Sequence, residues 1–126
     1  MGIFDKFTNK VTTENQIDWT ALTEIKQLEE IVAESAEIPV IIFKHSTHCG
    51  ISRMALRGFE ADYNYGENEI KPYFLDLLRY RDVSNAVAEK FRVTHQSPQI
   101  LVIKNGESIF DTSHGDINVE ALRNKI

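Results

Sequence analysis

The chain has 126 residues and a formal net charge of −5, with acidic and basic residues interspersed. That fits one domain with its own core and argues against a protein that grips nucleic acid electrostatically. Apolar residues make up 42% and charged residues 26%, the balance of a globular chain, and the longest apolar run (38–43) is too short to cross a bilayer. The single cysteine, Cys49, cannot close an internal disulfide and suits a reducing compartment, so a cytoplasmic protein with no membrane or nucleic-acid partner is expected.

Residues 1–16 are polar, rich in Thr and Asn and without sustained periodicity. They read as a flexible N-terminal tail, with Ile3, Phe4 and Phe7 packing as a short amphipathic turn as the alternative, and the domain proper runs over 17–126. A first strand is expected near 17–22. Thr23 then stands as the N-cap of a helix whose Ile25, Leu28, Ile31 and Val32 share one face and which ends before Pro39. P-V-I-I-F (39–43) is an unbroken, β-branched apolar run, the pattern of a strand covered on both faces.

The next helix starts near Cys49, with Ile51, Met54, Ala55 and Phe59 inward and Arg53, Arg57 and Glu60 outward. N-Y-G-E-N-E (64–69) is a loop and Y-F-L-D-L-L (73–78) a strand. R-Y-R-D (79–82) reads as a solvated turn, after which Ser84 caps a third helix with Val87, Ala88 and Phe91 inward. Two strands, 99–104 and 107–112, flank Asn105-Gly106, a pair that supplies the positive φ angles of a two-residue hairpin turn. Val119, Leu122 and Ile126 mark a last short helix. The order β-α-β-α-β-α-β-β-α implies an α/β fold, a mixed sheet with helices on both faces.

Cys49 sits in H-S-T-H-C-G-I-S (45–52), where a buried strand hands over to a helix. The first amides of a helix lack internal partners and carry partial positive charge, which favours a thiolate. His48, and more weakly His45, can add to this when protonated or take a proton when neutral. Gly50 lets a substrate sulfur approach closely. Ser52, one turn on and on the same face, can donate a hydrogen bond to the sulfur but cannot attack a disulfide. The four histidines suggest no metal site, because H-x-x-H in a loop is weak ligand spacing; His45 and His95 serve equally well as props for loop backbone.

The element order, a thiol at the head of the helix after the central strand, and Ser97-Pro98 opening a hairpin strand together resemble the thioredoxin fold. That resemblance implies a cis Ser97–Pro98 peptide beside Cys49, with the Ser97 backbone turned toward an extended substrate. Dithiol members carry C-x-x-C, usually with a Trp before the first cysteine and a buried Asp six residues earlier. This chain has C-x-x-S, His48 and Phe43 at those places, so another thiol must free Cys49 from any mixed disulfide.

A longer resemblance spans residues 19–122. F-K-H-S-T-x-C-x-I-S (43–52), Y-F-L-D-L-L-R-Y-R-D-V-S-N-A-V-A-E-K-F (73–91), S-P-Q-I-L-V-I-K-N-G (97–106) and S-H-G (113–115) are similar to the monothiol bacilliredoxins. The resemblance implies removal of bacillithiol from protein mixed disulfides, with Cys49, Ser52 and His48 catalytic and Thr47, Gly50, Ser97 and Pro98 against the substrate. His114 enters on this resemblance alone. No bound cofactor is implied. The co-substrate is a low-molecular-weight thiol, bacillithiol or alternatively glutathione, and the partners are S-thiolated client proteins and a thiol or reductase that regenerates Cys49; the chain is expected to act as a monomer. Family members often have Pro where Gly50 stands, which bears on the thiol accepted. Cys-Gly-Ile-Ser also resembles the Cys-Gly-Phe-Ser of monothiol glutaredoxins that hold a [2Fe–2S] cluster, but a Trp-Pro after the active-site helix and a C-terminal Gly-Gly-x-Asp are missing. A non-catalytic binding module of the same fold is the third reading.

Overall fold

The computed structural model describes residues 10–12 and 17–126. Its strands are β1 (Lys10–Thr12), β2 (Asp18–Ala21), β3 (Val40–His45), β4 (Lys71–Asp76), β5 (Gln99–Lys104) and β6 (Glu107–Ser113). The helices are α1 (Gln27–Glu34), α2 (Gly50–Asp62), α3 (Arg81–Phe91) and α4 (Val119–Arg123), with a 3₁₀ turn at His114–Asp116. All six strands form one mixed sheet in the order β1-β2-β4-β3-β5-β6, in which β2, β4 and β3 run parallel and β1, β5 and β6 antiparallel to their neighbours. This is the thioredoxin arrangement expected from the element order, with an extra edge strand. That strand corrects the reading of residues 1–16 as tail: Lys10–Thr12 pairs with β2 in the register Val11↔Trp19. Ile3, Phe4 and Phe7 lie outside the described residues.

Alternate residues of β3 feed two separate cores. Val40 and Ile42 face Leu28, Ile31, Val83 and Val87 from α1 and α3. Ile41 and Phe43 face Trp19, Phe59, Val119 and Leu122, the side covered by α2 and α4. All six β3 residues are buried, as the apolar run predicts. The period continues past it, so Lys44 and His45 are buried as well, on opposite faces.

Several boundaries move for local reasons. The first helix begins at Gln27 and not after Thr23: the Gln27 side chain accepts from the amides of Thr23 and Glu24 at 2.8 and 2.9 Å and donates to the Ala21 carbonyl at 3.0 Å, so it closes a turn that precedes the helix. Ile25 is left exposed. The third helix starts a turn earlier than Ser84, because Asp76 collects the amides of Arg79 and Tyr80 and launches the chain at Arg81; Ser84 is buried inside it. On α2, Ile51 and Met54 face solvent, whereas Glu60 turns inward and accepts from Trp19 Nε1 at 3.0 Å. Residue type alone misassigned these three, since an indole N–H in the core needs an acceptor.

The hairpin is as expected. Asn105 and Gly106 have φ of 52° and 79°, and the turn docks on the end of α1, where the Ser35 carbonyl and hydroxyl accept their two amides at 2.9 and 2.8 Å.

Candidate active site

The loop 46–49 leaves β3 at its carboxyl end and enters α2. Cys49 is the N-cap of that 13-residue helix, with extended φ/ψ of −113° and 119°. Its carbonyl accepts the first helical bond, from Arg53 N at 3.1 Å, and its amide closes a tight turn onto the Ser46 carbonyl at 3.2 Å. Arg53 Nη1 reaches back to the Thr47 carbonyl at 3.4 Å. The thiol is half-buried, between exposed Thr47, His48 and Gly50. A Cβ at Gly50 would meet nothing within 4 Å beyond its chain neighbours, so the space at position 50 is open.

The Ser97–Pro98 peptide is cis. The β3/β5 pairing ends at Lys44↔Gln99, which sets Pro98 beside the last residue of β3 and hence at the root of the Cys49 loop. On its other side the Pro98 carbonyl accepts from His114 N at 3.1 Å. A groove of about 270 Å³ runs between Ile51, Met54, Ala55 and Gly58 of α2 and His114, Gly115 and Ile117. A second cleft, of about 310 Å³, is lined by Gly50, Arg53, Met54 and Arg57. The topology therefore gathers Thr47, His48, Cys49, Gly50, Ser97 and Pro98 at one end of the sheet.

Ser52 departs from expectation. Its side chain is fully buried, and its oxygen accepts from Ser46 N at 3.0 Å and lies 2.8 Å from His45 Nδ1. It ties the loop to the strand beneath and makes no hydrogen bond to Cys49. The cause is its place at the third helical position, on the side that packs against the sheet. Burial holds the His45 pKa below its ordinary value, with Arg53 lowering it further and Asp76 opposing; at neutral pH the ring is uncharged.

Sequence reading also missed a cluster on the opposite face. Lys44 is fully buried, its Nζ donating to the Ser84 carbonyl and to His95 Nδ1, both at 3.2 Å, and burial pushes its pKa down to about 8. His95, in the loop that leads to Ser97–Pro98, is lowered by burial and by the charges of Lys44 and Arg81. The available signal was period-two alternation through F-K-H at the end of a strand buried on both sides. Among the described residues no three His, Cys, Asp or Glu side chains gather where a metal ion could be held, and no helix is long and apolar enough to cross a membrane.

A half-buried cysteine at the N-cap of the helix that follows the central strand, in a sheet of this topology, is the arrangement of a thioredoxin-fold redox protein. Solved structures agree on the fold. The chain is similar to one described as a candidate oxidoreductase with a thioredoxin fold, at 36% identity and a TM-score of 0.71 over 82% of this chain and 89% of that one. It is similar in fold to the thioredoxin of Fasciola hepatica (23%, TM-score 0.63, 84% and 94% covered) and to mitochondrial thioredoxin 3 of Saccharomyces cerevisiae (19%, 0.64, 86% and 92%). The family model for monothiol bacilliredoxin BrxC matches residues 20–122. The chain belongs to the monothiol bacilliredoxin family, and with that membership goes a thiol redox role.

Proposed function

We propose that this protein is a monothiol thiol–disulfide oxidoreductase that takes bacillithiol off S-thiolated client proteins. The observation that carries the reading is the pair Cys49 and Ser52. A thiol stands open at the helix start, and the position where a dithiol enzyme keeps its second sulfur holds a buried hydroxyl already engaged below. A hydroxyl cannot resolve a mixed disulfide, so each cycle must finish with an external thiol.

In the first step the Cys49 thiolate attacks the bacillithiol sulfur of the client mixed disulfide. A Cys49–bacillithiol disulfide forms, the client sulfur leaves with the electron pair of the broken S–S bond, and it takes a proton from water or from His48. A second bacillithiol thiolate then attacks the cap; bacillithiol disulfide departs and Cys49 returns as thiolate. No net oxidation of the enzyme occurs. Thr47 and Gly50 are exposed and in this reading border the small thiol, and Ser97 with Pro98 would pair with the client backbone. Glutathione is the alternative co-substrate, and a partner reductase the alternative to the second thiol. The protein acts as a monomer in the cytoplasm with no bound cofactor.

Intact-mass analysis after exposure to bacillithiol disulfide and, separately, glutathione disulfide tests this reading. The expected result is one bacillithiol adduct on Cys49, formed faster than any glutathione adduct and removed by free bacillithiol. An unmodified Cys49 under both conditions would overturn it.

A further inference from the structure

His45 lies beneath the nucleophile's loop, and the reaction written above gives it no part. It is 5% exposed, its ring lies 5.5 Å from that of Phe74 at a tilt of 48°, and its Nδ1 is 2.8 Å from Ser52 Oγ. Ser52 Oγ already receives the amide of Ser46, the residue that opens the turn closed by Cys49. A serine hydroxyl has one proton and two lone pairs. If Nδ1 is bare, that proton must go to His45. If Nδ1 carries a hydrogen, the Ser52 oxygen receives two N–H groups and its own proton is free to turn elsewhere. Cys49 stands three residues back, at the N-cap of the same helix, and its sulfur is the acceptor assigned here to that freed proton.

Resting on the proposed thiol-transfer function, we propose that His45 is a positioning residue for the reaction at Cys49, acting through Ser52. It holds the loop by way of Ser46, and its tautomer decides whether the Ser52 proton stays below or turns toward the sulfur. Cys49 is the leaving group when the second thiol attacks the cap, so a hydroxyl proton delivered at that moment stabilises the departing thiolate. The charged groups facing His45 bias the choice: Asp76, its register partner on β4, favours protonation of the ring, and Arg53 on α2 opposes it. The ring is neutral at pH 7 and acquires its second proton in acid. Nδ1 is then an obligatory donor and the Ser52 proton is set free.

The test uses four variants of the full chain, with rates of Cys49 alkylation by neutral iodoacetamide and of bacillithiol transfer read across pH. His45→Leu and Ser52→Ala should each slow both reactions about five- to tenfold, the order of one lost hydrogen bond. The double variant should be no slower than either single one, because the two residues act as a unit. His45→Asn keeps a hydrogen-bonding atom near the Nδ1 position without a titrating ring. It should recover the neutral-pH rate, yet lose reactivity more steeply than wild type as the pH falls into the acid range. Additive losses in the double variant, or an acid limb in His45→Asn that overlays wild type, would overturn the proposal. If His45→Leu does not fold, the Asn variant with and without Ser52→Ala supplies the same cycle. Alkylation proceeds whether or not bacillithiol is the true co-substrate, so a protein that alkylates as described but accepts no bacillithiol would refute the proposed function and leave the role of His45 standing.

Discussion

Lys44 and His45 are adjacent on β3 and both buried, yet they meet opposite solutions to the same problem. On the α2 face, His45 is uncharged at neutral pH and spends one nitrogen on a hydroxyl, so its burial costs little. On the α3 face, Lys44 brings an ammonium into the core with two neutral partners, the Ser84 carbonyl and His95 Nδ1. A buried charge without a counter-charge is expensive, and the lowered Lys44 pKa is the signature of that cost. The two sites bracket the nucleophile. One secures the loop that carries Cys49, and the other secures the loop that leads to Ser97–Pro98. The lesson is that polar groups at the end of a buried strand here act as anchors for the two loops that meet at the thiol.

Replacing the cation with an apolar chain of similar length removes the charge and keeps the volume. Lys44→Met should stabilise the fold by about 1–2 kcal/mol at pH 7, part of the roughly 3 kcal/mol that a shift of this size represents. The sign follows from linkage. Between about 8, the folded pKa, and 10.5, the unfolded one, the unfolded chain binds more protons. Wild-type stability therefore rises with pH through that window, and the advantage of Lys44→Met is full below it and gone above it. Urea melts at pH 7 and pH 10 read both points; a gain that does not shrink with pH would show that the ammonium is not what is costly.

Next in size is the partner. His95→Ala removes an acceptor from a buried ammonium and should destabilise by about 1–2 kcal/mol. In the Lys44→Met background the same change should cost much less, because the charge is no longer there. Equal losses in both backgrounds would assign His95 a packing role only.

How far these anchors could be read from the chain alone differs between fold and site. Alternation, Asn105-Gly106 and the apolar run 39–43 specified the element order and the hairpin, because each is a local rule that tertiary packing here reinforces. The position of Cys49 at a helix start was legible for the same reason. What stayed hidden were pairings distant in sequence: His45 with Ser52, Lys44 with His95, Trp19 with Glu60. Polar residue types predict exposure by default, and only the partner across the fold cancels that default. Ile51 and Met54 failed in the opposite sense. They are apolar and helical in spacing, but α2 needs just one narrow face for the core, so both border the open clefts beside the thiol.

Two smaller effects sharpen the contrast between a strained turn and an open helix start. Gly106→Ala places a Cβ 3.3 Å from Val32 Cγ1 at a φ of +79° and should cost about 1 kcal/mol, read as a lower midpoint in urea. Gly50→Pro goes the other way. Cys49 already has the extended backbone that precedes a proline, position 50 is the first helical residue, and space there is free. A stabilisation of about 0.5 kcal/mol is expected, together with a changed preference between bacillithiol and glutathione if the open space selects the thiol.

In the proposed reaction one sulfur receives a small thiol from a client and holds it until a second thiol arrives. Mixing the protein with one equivalent of an S-bacillithiolated client, without free thiol, and weighing both chains tests this most directly. The client should lose one bacillithiol and Cys49 gain it, the adduct should persist until bacillithiol is added, and Cys49→Ser should neither gain nor release anything. A client that stays capped, or that becomes disulfide-linked to the enzyme with the bacillithiol released, would contradict it.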